Sequence, residues 1–295
     1  ISCSLVGSEM CIRDRMLHIS NDNYFEWRFG NIYYTKKGTG SPILLIHDTL
    51  PGASGYEWSK IEDELAIDHT VYTVDLLGCG RSDKSSITYT NFVYVQMISD
   101  FIKKIIGQKT DVIASGFSGS FVTMACHNEK ELFNKIMLVN PPSLTQLKQM
   151  PNRKDRLLKA ALEIPIFGTL VYHMIVSRDN INNLFIEKMY YNPFHVDNQM
   201  ADAYYEAAHK GGYYTRFLYS SLAAKYININ ICHALKALDN SIYIVEGETE
   251  PNGKAVTDDY CASNPAIEVS VLKETKHLPH VEAPEAFLEQ VKIFF

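Results

Sequence analysis

Ser118 is the residue whose type and setting most directly imply chemistry. It lies in Gly116-Phe117-Ser118-Gly119-Ser120, after the apolar run Asp111-Val112-Ile113-Ala114 and before Phe121-Val122-Thr123-Met124-Ala125-Cys126. The first run predicts a short buried strand and the second the start of a helix. A serine in a strand-to-helix turn with glycine on either side is placed to act as a nucleophile. So tight a turn tolerates only small neighbours, and it pushes the hydroxyl out at the carboxyl edge of the sheet. A serine hydroxyl is a weak nucleophile at neutral pH, so it needs a base beside it. Ser115 and Ser120 flank that apex without occupying it.

The elements that must hold such a turn are legible around it. Tyr24 to Phe29 and Ile32 to Thr35 flank Gly30-Asn31 and predict a hairpin with a two-residue turn. Short apolar runs follow at Ile43–Ile46, Val71–Asp75, Val112–Ala114, Ile136–Val139, Ile242–Val245 and Glu268–Val271. Continuous apolar runs of this length suit strands buried on both faces. Helical spacing appears between them, notably over 92–106 and 284–295. Alternating strands and helices predict a doubly wound, mostly parallel α/β sheet. The alternation stops between residues 142 and 238, a stretch too long for a loop inside a compact domain. It is expected to be an inserted helical cap, rich in tyrosine, phenylalanine and methionine. The expected core is then 16–141 with 239–295.

Composition narrows the function class. The 295 residues are 46% hydrophobic and 21% charged, with a net charge of −6, which argues against a nucleic-acid partner. The six cysteines, Cys3, Cys11, Cys79, Cys126, Cys232 and Cys261, form no C-x-x-C pair and no metal-ligand spacing with histidine. Free thiols, a reducing cytoplasmic compartment and no metal are the expectation. There is no phosphate loop or dinucleotide fingerprint, so no cofactor is expected. The longest apolar stretch, Ile164 to Val176, is too short to span a bilayer. It predicts a buried cap helix in preference to a membrane-surface contact. Residues 1–15 resemble a translated sequencing adapter. The natural coding sequence is expected to be recognisable from about Met16, and an anchor at the native amino terminus could be missing.

Four motifs in order give the chain a resemblance to the cap-bearing, serine-nucleophile branch of the α/β-hydrolase superfamily. His47-Asp48-Thr49-Leu50-Pro51-Gly52 resembles its H-G-x-x-P-G loop, and Asp75-Leu76-Leu77-Gly78-Cys79-Gly80-Arg81-Ser82 its D-x-x-G-x-G-x-S loop. The Ser118 turn resembles its G-x-S-x-G elbow, and Lys276-His277-Leu278-Pro279-His280-Val281-Glu282-Ala283-Pro284 its terminal G-H-x-P-H-x-E-x-P segment.

The resemblance implies Ser118 as nucleophile, His277 as general base, and the backbone amides of Thr49 and Gly119 as the oxyanion hole. It implies Glu250 as the acid, with Glu248 as fallback; the second place where the family carries its acid holds Asn140, which cannot serve. His280 is expected to be structural. Three positions depart from the pattern: Asp48 stands for glycine, Ser120 for glycine, and Glu250 for aspartate. A carboxylate at Asp48 would repel an oxyanion unless it pointed away or were paired.

The expected function is hydrolysis of a small hydrophobic ester or thioester through an acyl-enzyme, with no cofactor. The alternative is a ligand-binding protein on the same scaffold with a vestigial triad. Dehalogenases and epoxide hydrolases of the superfamily carry aspartate at the elbow, and a serine nucleophile at 118 would exclude both.

Overall fold

A computed structural model describes residues 23–295. The 1–15 leader, the start at Met16, Cys3 and Cys11 lie outside the described residues. The sheet has eight strands in the order β1-β2-β4-β3-β5-β6-β7-β8. They are β1 Asn23–Trp27, β2 Gly30–Lys37, β3 Ser41–Ile46, β4 His69–Val74, β5 Thr110–Ser115, β6 Phe133–Val139, β7 Ile242–Gly247 and β8 Glu268–Leu272. The β1–β2 and β2–β4 pairs are antiparallel; every other pair is parallel.

Side chains alternate across the central strands as a pleat requires. Leu44, Ile46, Val112, Ala114, Ile136, Leu138, Ile242 and Ile244 enter one apolar cluster. Ile43, Leu45, Ile113, Met137, Val139, Tyr243 and Val245 enter another on the opposite face. Burial on both faces explains why these strands read as unbroken apolar runs in place of an alternating pattern.

The hairpin differs from expectation by two residues. Trp27 pairs with Gly30, so Arg28-Phe29 forms the turn and Gly30 opens β2. Gly30 has φ +141, and a Cβ there would lie 2.7 Å from the Asp83 Cβ. Its glycine is needed for that close approach, and the turn itself lies just before it.

Between β6 and β7 the chain runs through helices alone, the longer ones being Arg153–Glu163, Pro165–Ile175, Arg178–Leu184, Asn198–His209 and Thr215–Ala223. Tyr172, Phe185, Met200 and Tyr204 from this segment form a third apolar cluster. The expectation that Ile164 to Val176 is buried fails. Only Gly168 and Tyr172 of Pro165–Ile175 are buried, and Leu170 is 67% exposed. Among the described residues no single helix is long and apolar enough to cross a membrane. Cys79, Cys126, Cys232 and Cys261 are free thiols.

Candidate active site

The carboxyl ends of β3, β5, β6, β7 and β8 converge on one edge of the sheet, where ligands of open α/β sheets sit. After β5, Gly116 takes φ +53 and its amide donates to the Val139 carbonyl at 2.9 Å. Phe117 is already helical, and Ser118 opens the helix Ser118–Asn128. The strained apex of the turn is therefore Gly116.

Ser118 lies two residues beyond that apex, fully buried, and donates to the His47 carbonyl at 2.6 Å. Its other partner is the Thr49 hydroxyl at 3.2 Å. No hydrogen bond joins it to His277. The structure thus does not bring the expected serine nucleophile to its expected base: its hydroxyl ties the helix start to the loop after β3. The reason is the strand end, since β5 runs through Ser115 and leaves only Gly116 for the left-handed turn. The Gly119 amide, expected in the oxyanion hole, donates to the Gly116 carbonyl at 3.2 Å inside the helix's first turn. The amide at the helix start that faces the loop after β3 is that of Phe117.

Asp48 fills the space at the apex. Its Oδ1 accepts from the Thr49 amide at 2.6 Å and the Phe117 amide at 2.8 Å, and its Oδ2 lies 3.4 Å from His277 Nε2. A Cβ on Gly116 would sit 2.2 Å from the Asp48 Cγ. Glycine at the apex and aspartate in the loop after β3 thus fit one another. The carboxylate also gains from the unpaired amides at a helix start. The Asp48 amide points at the buried Glu57 Oε2, 3.4 Å away. His47 Nε2 accepts from the Leu76 amide at 3.0 Å, which leaves Nδ1 as the donor to the Asp48 carbonyl at 2.6 Å.

His277 stands between two carboxylates. Its Nδ1 is 3.2 Å from Glu250 Oε1, opposite the Asp48 contact. Burial alone would lower its pKa, but hydrogen bonds to Asp48 and Glu250, with their negative charge, outweigh this and raise it to about 10. At neutral pH the resting site therefore holds an imidazolium that donates from both nitrogens.

The structure brings Glu250 to His277, and it places the fallback Glu248 elsewhere, with Oε2 accepting from the Glu274 amide at 2.9 Å. His280 is fully buried, stacked on Trp58 at 4.3 Å between ring centroids and 3.2 Å from Glu57 Oε1.

Two residues that position His277 were not assigned a role from sequence. Asn140, with φ 43, donates to the Lys276 and His277 carbonyls at 2.8 and 2.9 Å and accepts from the Gly247 amide at 3.0 Å. It clamps the ends of β6 and β7 to the histidine loop. Glu282 accepts from the Lys276 and Tyr191 amides, each at 2.7 Å. The neutral Asn140 was set aside because it cannot be an acid; its amide is what lets it bridge three backbone groups.

Asp48, Gly116, Phe117, Glu250 and His277 open on a cavity of about 540 Å³, walled by Leu50, Pro141, Pro142, Leu184, Met189 and Val256, with Lys188 and Glu187 near them. That size suits a small molecule. Leu170, Tyr172, Tyr204 and Phe217 of the helical segment do not line it. Tyr172 and Tyr204 are core, whereas Leu170 faces outward.

The chain is similar to 2-hydroxy-6-oxo-6-(2'-aminophenyl)hexa-2,4-dienoic acid hydrolase of Metapseudomonas resinovorans, 29% identical over 113 residues, 38% of this chain and 39% of that protein. It is similar to a soluble epoxide hydrolase of Corynebacterium sp. strain C12, 24% identical over 109 residues, 37% of each. The matched region spans well under two thirds of either relative. The fold resembles that of a serine hydrolase involved in carbazole degradation, with a TM-score of 0.75 at 17% identity over 93% of this chain and 98% of that one. Residues 43–290 match the Alpha/beta hydrolase family, and the chain belongs to it.

Proposed function

We propose that the protein is a hydrolase of small apolar compounds that attacks through the Asp48 carboxylate, with His277 and Glu250 activating water. The observation that carries this reading is the seating of Asp48: Oδ1 on two backbone amides and Oδ2 toward His277. A substrate carbonyl cannot place its oxygen on amides already occupied by a carboxylate, so acyl transfer from a substrate ester has no oxyanion site here. The oxyanion those amides can hold is one that forms on Asp48 itself.

That arrangement suits displacement at a saturated carbon bearing a good leaving group, such as an alkyl halide or a strained cyclic ether. Oδ2 bonds to the carbon, and the leaving group departs with the electron pair of the broken bond. The resulting Asp48 ester keeps Oδ1 on the Thr49 and Phe117 amides. Alkylation removes one of the two charges holding the proton on His277. The imidazolium gives that proton to the alkoxide of an opened cyclic ether or, when a halide leaves, to solvent, and the neutral imidazole becomes a base only then. The imidazole next takes a proton from water, which attacks Cγ. The bond from Cγ to the alkoxy oxygen breaks, and His277 returns the proton to the departing alcohol. Asp48 is regenerated with one oxygen from water, and the carboxylic acid formed at the end returns a proton to the imidazole. Glu250 orients the ring and stabilises its charged form. The helical segment over 142–238 acts as the cap, supplying Leu184 and Met189 to the apolar wall. The similarity to a protein named a soluble epoxide hydrolase supports this class.

The test is a single turnover of an aliphatic epoxide or haloalkane with enzyme in excess, in water enriched in heavy oxygen. Incorporation of the label at Asp48, and loss of turnover in Asp48→Ala, are expected. Turnover without label at Asp48, or activity retained in Asp48→Ala, would refute the assignment. The resting pair between Asp48 and the His277 imidazolium favours one second reading, a binding protein whose would-be nucleophile is locked. Ligand-induced thermal stabilisation of the folded protein, with no alkylation of Asp48 across both substrate classes, would select it.

A further inference from the structure

We propose that the bent helix pair Arg153–Glu163 and Pro165–Ile175 seats the protein on an anionic membrane surface. In Pro165–Ile175, Ile166, Phe167, Leu170 and Met174 are all exposed, whereas Gly168 and Tyr172 are buried. At about 100° per residue the four exposed side chains fall within one stripe, and the buried pair lies on the opposite side. The helix is thus amphipathic in the reverse of the usual sense, with its apolar stripe outward. Such an outward apolar patch marks an interaction site.

The preceding helix supplies the charge. Arg153, Lys154 and Arg156 are exposed on its outer face together with Leu157 and Leu158. Its acids do not offset them, because Asp155 is buried and paired with Lys225, and Glu163 is paired with Lys159. Pro165–Ile175 carries no acid at all. A basic, apolar face on a chain of net charge −6 matches a negatively charged lipid surface. The two helices meet at 96°, a bend that suits lying in the interface better than crossing as one straight span. A second copy is a poorer occupant: a two-fold contact through this face would bring the basic triplet against its own copy.

The test is flotation of the full chain with phosphatidylcholine vesicles, with and without phosphatidylglycerol. Binding that requires the anionic lipid and weakens with salt is expected. Phe167→Ser/Leu170→Ser should weaken binding at least about tenfold. Arg153→Glu/Lys154→Glu/Arg156→Glu should weaken it at least about a hundredfold. All five side chains are exposed, so both variants should keep the parent's melting temperature. A parent that does not float with anionic vesicles, or variants that float as the parent does, would overturn the proposal. Self-association abolished by Phe167→Ser/Leu170→Ser, without flotation, would overturn it in favour of a second copy.

Discussion

Gly116→Ala adds one carbon where the structure has no room. The new Cβ would lie 2.2, 2.3 and 2.5 Å from Asp48 Cγ, Oδ1 and Oδ2, and φ is +53. Holding an L-residue in the left-handed region costs roughly 1–2 kcal/mol. Forcing an extra carbon into a packed site costs about 1–3 kcal/mol more. The sum, about 2–5 kcal/mol, is a large part of the 5–15 kcal/mol typical of a folded domain. Removing the Asp48 carboxylate first should relieve the steric part and leave the backbone part. Asp48→Ala and Gly116→Ala should therefore couple favourably, by about 1–3 kcal/mol. Urea unfolding of the parent, both single variants and the double variant closes the cycle, with the slope of each curve checking that the transition stays two-state. Additive single effects, or a Gly116→Ala cost below about 1 kcal/mol, would refute the claim that the Asp48 carboxylate fills the apex.

Ser118→Ala should keep most of the parent's turnover while lowering stability by about 1 kcal/mol, the worth of its bond to the His47 carbonyl; loss of turnover in a folded variant would return the serine to the reaction. The pKa of His277 is raised, so its pairing stabilises the fold fully below about 6.5, the unfolded value, and this is lost as pH rises through about 10. Half-buried Lys84, lowered by desolvation to about 8, acts in the opposite sense above that pH, so the readout is the parent minus His277→Asn, whose difference in melting temperature should shrink as the solution turns alkaline. Asn140→Ala should cost about 2–4 kcal/mol by releasing the Lys276 and His277 carbonyls and the Gly247 amide, and turnover should fall with it; stability within about 0.5 kcal/mol of the parent would refute its role as a clamp. Asp48→Gly/Gly116→Ser places a hydroxyl at the apex and frees the Thr49 and Phe117 amides. It should react with a fluorophosphonate that leaves the parent unlabelled, and reaction of the parent at Ser118 would contradict the geometry.

The central strands were readable because they are buried on both faces, which leaves apolar runs with no competing period. The approach of His277 to Glu250 was readable because each follows its strand in a motif of fixed order. The residue at the apex of the turn was not, and the difficulty is local. Ala114-Ser115-Gly116-Phe117-Ser118 and Gly116-Phe117-Ser118-Gly119-Ser120 both space small residues as a tight strand-to-helix turn demands. Only the end of β5 chooses between them, and strand ends are the least legible feature of a sequence. Asp48 was recognised as a misfit beside an oxyanion. Its pairing depends on a contact between residues 48 and 116 that no local pattern encodes. The outward face of Pro165–Ile175 was missed for a different reason. A continuous apolar helix reads the same whether its stripe meets the core or the exterior.

The geometry of β3 and β5 explains how a carboxylate from one strand can stand at the turn of another. Ile46 pairs with Ala114, the last pair of the two strands, and Asp48 and Gly116 each lie two residues beyond it. The two strands are hydrogen-bonded neighbours, so a side chain at 48 needs to cross only one inter-strand gap, about 4.8 Å, to reach the space above 116. Shortening residue 116 to glycine vacates that space, and the two amides that face it remain where the backbone puts them. What the exchange alters is the charge at rest. A neutral hydroxyl there would leave His277 with one carboxylate partner, whereas Asp48 gives it two and keeps it protonated at neutral pH. On the proposed mechanism the site would act as a base only once the Asp48 charge has been consumed, which would order the two half-reactions: alkylation first, water second. A substrate that cannot alkylate Asp48 would, on the same mechanism, leave the imidazolium in place, so the ion pair that serves hydrolysis of an activated carbon would hold the site inert toward an ordinary ester.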